Sequence, residues 1–230
     1  MSSPSTSNTP NLPAQPIKLL AFDWDGTLFD STALIVQAIQ NAVADAGGTV
    51  PSKEQAAWVI GMGLQEAIAH VGKDIPKLKI PIVMARYLYH YSRLQDQVTL
   101  FEGTLEMLQA LKQQGFLLAI ATGKSRRGLN EALAQTDLKH LFDATRTADE
   151  TAGKPHPQML QELMHELDTP PAQTVMIGDT SHDMQLALNA GTHSVAVSYG
   201  AHEGEGLRSF GPMALVHNTQ ELHAILKKLA

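Results

Sequence analysis

Residues 17–28 read IKLLAFDWDGTL: an apolar run, Ile17–Phe22, that ends in Asp23-Trp24-Asp25-Gly26-Thr27-Leu28. The run carries no alternation of polar and apolar residues, which suits a strand buried on both faces. Comparable runs follow at Phe116–Ala121, Thr174–Ile177, His193–Val197 and Ala214–His217. Between and after them lie helical patterns at 105–114, 126–135, 157–167, 183–190 and 220–229. Leu105, Leu108 and Leu111 recur at helical spacing, and Gly115 stands just past that helix. Strand and helix in alternation predict an α/β, doubly wound parallel sheet with helices on both faces.

One stretch breaks this rhythm. From 31 to 100 there is no strand pattern, and four helices are expected at 31–46, 52–60, 64–71 and 76–95, the first ending at Gly47-Gly48. The expected organisation is therefore an α/β core of 17–29 and 101–230, interrupted by a helical cap over 30–100. Residues 1–16 precede it; ten of these sixteen are Ser, Thr or Pro and none is charged, so a disordered tail is expected.

Composition narrows the function. The chain has 230 residues, enough for a core without staples, and no cysteine, which removes disulfides, thiolate metal sites and a cysteine nucleophile. A net charge of −6 argues against a nucleic-acid partner. There is no apolar run of about 18 residues and no leader-like N-terminus. A cytoplasmic protein is expected; oligomeric state is not readable.

The chemistry-bearing residues fall at the ends of the predicted strands, where ligands bind in doubly wound sheets. Asp23 and Asp25 are two carboxylates one residue apart, which either form a turn with Gly26 or serve a site. The second strand ends in Thr122-Gly123-Lys124, a hydroxyl followed by a residue that lets an anion approach the backbone; many loops look the same. Lys154-Pro155-His156-Pro157 offers an extended lysine before a helix start, either solvated or aimed at a phosphate. Gly178-Asp179-Thr180-Ser181-His182-Asp183 is a second acidic cluster, although Thr180 and Asp183 also fit a helix cap. Two such clusters can converge on one hard cation.

These four blocks, in this order and with a helical insertion after the first, resemble the haloacid dehalogenase superfamily of phosphohydrolases with a type 1 cap, and phosphoglycolate phosphatase-like members most of all. The resemblance covers about 17 to 229. It implies a Rossmann-like core and a magnesium-dependent phosphatase working through an aspartyl-phosphate. In that family's roles Asp23 is the nucleophile and Asp25 the general acid and base; a carboxylate at Asp25 favours phosphate chemistry over carbon–halogen cleavage. Mg2+ would be held by Asp23, the Asp25 carbonyl and Asp179, with Asp183 orienting a ligand from behind. Lys154 would neutralise charge and hold Asp23 ionised. Thr122, the Gly123 N–H and Lys154 would bind the phosphoryl group. The implied partner is a small phosphorylated metabolite, phosphoglycolate-like; a phosphomutase on the same scaffold and pyrophosphate hydrolysis are the alternatives.

Specificity would lie in the cap. Ile60-Gly61-Met62-Gly63-Leu64 is a candidate loop over the site, or simply a connection. Arg86 and Arg93, with Tyr87 and Tyr91, share helical spacings; one arginine could meet a substrate carboxylate, though a solvated face is the commoner outcome. The ten histidines form no metal motif, Trp24 is expected in the core, and Gly204-Glu205-Gly206 reads as a surface loop. Cap opening is expected about Phe29 and Leu100.

Overall fold

The computed structural model describes residues 13–94 and 97–230. The expected tail therefore lies mostly outside the described residues; 13–16 form no regular element. Six strands are present: β1 (Leu19–Phe22), β2 (Leu117–Thr122), β3 (Ala144–Thr147), β4 (Thr174–Gly178), β5 (His193–Val197) and β6 (Ala214–Val216). They form one parallel sheet in the order β3-β2-β1-β4-β5-β6. The chain winds one way from β1 to β3 and the other way from β4 to β6. The crevice between those two halves, beyond the carboxyl ends of β1 and β4, is the switch point of the sheet.

Period-two alternation sorts the buried strand residues onto two faces. Leu20, Phe22, Leu118, Ile120, Val175 and Ile177 face one layer. That layer includes α5 (Thr104–Gln113), α6 (Arg126–Thr136) and α10 (Thr219–Leu226), through side chains such as Leu108, Leu129 and Leu222. Leu19, Ala21, Ala119, Ala121 and Met176 face the other, against α7 (Gln158–Glu166) and α8 (Ser181–Ala190). Both faces are covered, which is why the strands read as unbroken apolar runs.

Between β1 and β2 the chain forms α1 (Thr32–Asp45), α2 (Lys53–Trp58), α3 (Leu64–Val71) and α4 (Ile80–Ser92). These helices bury their own clusters, one around Ile35, Ile39, Val59 and Ile60, another around Val43, Ile68 and Val83. The expected helix over 76–95 is divided: a single 3-10 turn at Lys77–Lys79 precedes α4, whose first turn holds Pro81. The chain leaves and re-enters the core side by side. Phe29 bridges Leu100, the Asp30 N–H donates to the Thr99 carbonyl, and the Phe101 N–H donates to the Leu28 carbonyl.

Two features depart from the sequence reading. β3 reads Ala-Thr-Arg-Thr and has no apolar run, because it is an edge strand whose Arg146 reaches Glu162 and Glu166 on α7 at 2.7 Å each. The Gly204-Glu205-Gly206 stretch is not a loop but part of α9 (Gly204–Arg208), held down by buried Leu207 against Met184 and Leu215. Among the described residues no helix is long and apolar enough to cross a membrane.

Candidate active site

β1 delivers Asp23 into the crevice, and the turn behind it is built for a sharp reversal. Gly26 has φ +79°, a conformation strained for any residue with a side chain, and a Cβ there would strike the Asp179 carboxylate. Trp24 points away, buried and stacked on Phe29 with ring centroids 4.4 Å apart. This alternation leaves Asp23 and Asp25 on the functional side.

Three carboxylates meet below the crevice. Asp23, Asp179 and Asp183 are all buried, each offering an oxygen within 4.8 Å of the others. Asp179, at the end of β4, accepts from Thr27 Oγ1 at 2.9 Å and from the Ala201 N–H at 2.6 Å. Asp183 closes a capping box at the start of α8, accepting from the Thr180 N–H at 3.1 Å and Oγ1 at 2.6 Å. Its other oxygen accepts from Lys154 Nζ at 2.6 Å. The two sequence readings of Thr180 and Asp183, helix cap or site, are thus both realised in one side chain.

Lys154 is fully buried, on the loop between β3 and α7, and its Nζ also lies 2.8 Å from Asp23 Oδ1. Lys154 is thus the one charged donor beside Asp23 Oδ1, and Oδ2 has no donor among the described residues. Burial pushes the Asp23 carboxyl up to about 7, with Lys154 pulling it down and Asp183 adding to the rise. Burial also drives Asp179 well above the usual carboxylate range, helped by Asp23 and Asp183. For Lys154, burial opposes the charge, but Asp183 and Asp23 outweigh it and hold the ammonium firmly protonated. One lysine among three buried carboxylates, with Asp23 Oδ2 left without a donor, is a ligand set that suits a hard divalent cation.

Above this cluster lies a cavity of about 560 Å3, bounded by Asp23 and Asp25 from β1 and the turn after it, Thr122 and Gly123 from the end of β2, and the insertion. Thr122 accepts from the Lys124 N–H at 3.2 Å. Gly123 is required by the cap: a Cβ there would lie 2.6 Å from the carbonyl oxygens of both Gly61 and Met62. The Ile60–Leu64 segment therefore does lie over the strand ends rather than merely linking helices.

The structure brings together all the residues singled out in the core: Asp23, Asp25, Thr122, Gly123, Lys154, Asp179 and Asp183. It adds three that the sequence left without a role, namely Lys124, His182 and His202. Asp25 accepts from Ser31 Oγ at 2.7 Å and pairs with Lys124 Nζ at 3.0 Å. Lys124 also donates to the Tyr91 hydroxyl at 3.2 Å, linking the core to α4. Its place directly after Thr122-Gly123 was the only signal available. His182 and His202 both place Nε2 against the Trp58 carbonyl, at 2.9 and 3.1 Å, and so tie the cap to the core. Arg86 does not enter the cavity; it pairs with Asp45 at 2.6 Å, and Arg93 lies over the Tyr89 ring. His156 stays at the surface, accepting from the Gln158 N–H at 3.3 Å.

The profile of the family described as haloacid dehalogenase-like hydrolase matches residues 20–197, well over half of the chain. The chain belongs to that family. It is a phosphatase-type hydrolase by its relatives. It is 34% identical over 219 residues to a phosphoglycolate phosphatase of Aliivibrio fischeri, covering 91% of this chain and 96% of that one. It is 30% identical to the pyrophosphatase PpaX of Bacillus mycoides, covering 93% and 98%. A solved structure of a predicted phosphatase from Clostridium acetobutylicum superposes with a TM-score of 0.82 at 22% identity, covering 93% and 100%, which shows the shared fold.

Proposed function

We propose that this haloacid dehalogenase-like hydrolase is a magnesium-dependent phosphatase that cleaves a small phosphomonoester through a phosphorylated Asp23. The observation that carries the reading is Asp23: a buried carboxylate at the floor of the cavity, with Lys154 on Oδ1 and no donor on Oδ2. A buried structural aspartate normally has both oxygens hydrogen-bonded; here one is left for a cation or a phosphorus atom.

The residues divide the work. Asp23 attacks phosphorus, and the P–O bond to the leaving alcohol breaks. Asp25 stands two residues on, held by Ser31 and Lys124, where it gives a proton to the leaving oxygen and then takes one from the water that hydrolyses the acyl phosphate. Lys154 keeps Asp23 in place and offsets charge, while Thr122 and the Gly123 N–H offer donors to the phosphoryl oxygens. Asp23, Asp179 and the Asp25 carbonyl would hold Mg2+, with Asp183 fixing Lys154 and the α8 terminus behind them. The ion supplies the positive charge that lets a carboxylate approach a phosphate dianion. Phosphoglycolate and pyrophosphate, named for the two curated relatives, are the substrates those likenesses favour.

The test is phosphate release from a panel of phosphate esters with Mg2+, combined with acid quenching during turnover. The expected result is label from a phosphate-labelled substrate on the peptide carrying Asp23. Turnover with no label on that peptide overturns the nucleophile assignment.

A further inference from the structure

The wall that the insertion gives to the cavity has a chemistry that the core motifs do not dictate. It is formed by Ile60 and Met62 of the cap loop, Tyr87, Leu88 and Tyr91 of α4, and Val98. Tyr87 and Tyr91 stack with ring centroids 5.8 Å apart. Leu88 is 55% exposed, a large apolar side chain left uncovered at the mouth. The described cations on the lining are Lys124, paired with Asp25 at 3.0 Å, and Arg127, which lies 88% exposed at the rim beside Glu131. The cap arginines do not reach the cavity, since Arg86 binds Asp45 and Arg93 covers Tyr89.

A carboxylate on a leaving group seated against this wall, rather than at the polar rim of Ser125, Gln135 and Thr136, would meet apolar and aromatic side chains with no cation among them, which is costly. The volume points the same way. About 150 Å3 is enough to hold a benzene ring, and this cavity is about 560 Å3.

We propose that the leaving-group side of this site selects phosphomonoesters of uncharged, apolar or aromatic alcohols of roughly six carbons or more, and disfavours esters that bear a second anionic group. The inference rests on the phosphomonoesterase reading above and parts from the phosphoglycolate and pyrophosphate that the relatives' names suggest. Burial against this wall supplies discrimination by transfer of methylene groups from water; Tyr87 and Tyr91 provide a flat face for a ring.

The experiment measures kcat/KM for phosphate release, with Mg2+, from ethyl, butyl and hexyl phosphate, and from the carboxylated counterparts of the shortest and longest, phosphoglycolate and 6-phosphooxyhexanoate. These alcohols are saturated, so leaving-group reactivity changes little along the alkyl series. The expected result is a rise of about threefold to fourfold per added methylene, with each carboxylated ester at least about tenfold below its alkyl partner. Met62→Lys places a cation on the wall from a partly buried loop position, and is expected to reverse the carboxylate penalty. Phosphoglycolate preferred over hexyl phosphate by the native enzyme, or an unchanged carboxylate-to-alkyl ratio in Met62→Lys, overturns this inference and leaves the phosphatase reading standing. Release from none of the esters overturns both.

Discussion

Asp23 bears two opposed demands. As a nucleophile it must be ionised; as a buried side chain it is disfavoured in that state, and its carboxyl is pushed up to about 7 by burial. Replacing it by Asn should separate the two. Phosphate release is expected to fall by about a thousandfold or more. The melting temperature above pH 7, without divalent cation, is expected to equal or exceed that of the native chain, because an unfavourable buried charge is gone. Retained turnover would remove Asp23 from the chemistry; a large drop in melting temperature would show that its charge stabilises the fold. Asp23, Asp25, Lys154, Asp179 and Asp183 stood out in the sequence as polar groups that follow apolar runs or precede helix starts, but each also had a plain structural reading, and only the family resemblance joined them into one site. Lys124 was not assigned, because a lysine after Thr-Gly reads as a solvated loop residue until Asp25 and Tyr91 are seen around it.

At the scale of elements, the meeting of the cap loop with the end of β2 is the tightest joint. Gly123→Ala would place a methyl group 2.6 Å from two backbone carbonyl oxygens, which cannot swing aside as the tip of a flexible side chain would. The cap loop must shift, and we expect a loss of about tenfold or more in kcat/KM with the melting temperature lowered by a cost of about 1–3 kcal/mol. Unchanged kinetics would mean that the loop does not shape the site. A second joint ties α6 to the end of β3: Arg126 binds the Glu150 carboxylate at 2.6 and 2.8 Å and the Thr145 carbonyl at 3.1 Å. Arg126 holds the Glu150 carboxyl down at about 2. The folded value lies below the ordinary one, so the stabilisation is present above about pH 4.5 and is lost as pH falls toward 2. The gap in melting temperature between the native chain and Glu150→Gln should therefore narrow between pH 5 and pH 2; a constant gap would deny the pair its role. β3 itself was invisible in the sequence for the same reason that it needs these partners: an edge strand with one polar face carries no apolar run. The α9 helix was missed because two glycines dominate a five-residue segment whose only apolar anchor is Leu207.

For the whole molecule, the balance of charge at the centre of the sheet sets the response to metal. Three buried carboxylates face one lysine, and without a cation burial pushes two of them, Asp23 and Asp179, toward their protonated forms. A divalent cation that binds the folded state alone is expected to raise stability, by about 2.7 kcal/mol at a hundred times its dissociation constant. The melting temperature should rise with Mg2+ and return to its starting value with chelator, in the absence of any substrate. No shift at millimolar Mg2+ would exclude the cluster as a tight resident site. The helical make-up of the insertion was plain in the sequence, because a strandless stretch of seventy residues set between two buried strands is too long for a crossover and must pack on itself. The character of the insertion's inner wall was not, since it depends on which face of α4 turns inward.

The paired crossing at Phe29 and Leu100 has a further consequence. Because the outgoing and returning chains are hydrogen-bonded neighbours there, the whole helical insertion hangs from the core on one two-stranded stalk. Such an attachment makes it an exchangeable cassette. A foreign cap with ends of the same spacing could be spliced in at that stalk while Asp23, Lys154, Asp179 and Asp183 kept their sequence surroundings. Chimaeras of this kind would graft a new appetite onto unaltered chemistry, with Lys124–Tyr91 and the Trp58 carbonyl as the seams to be resewn.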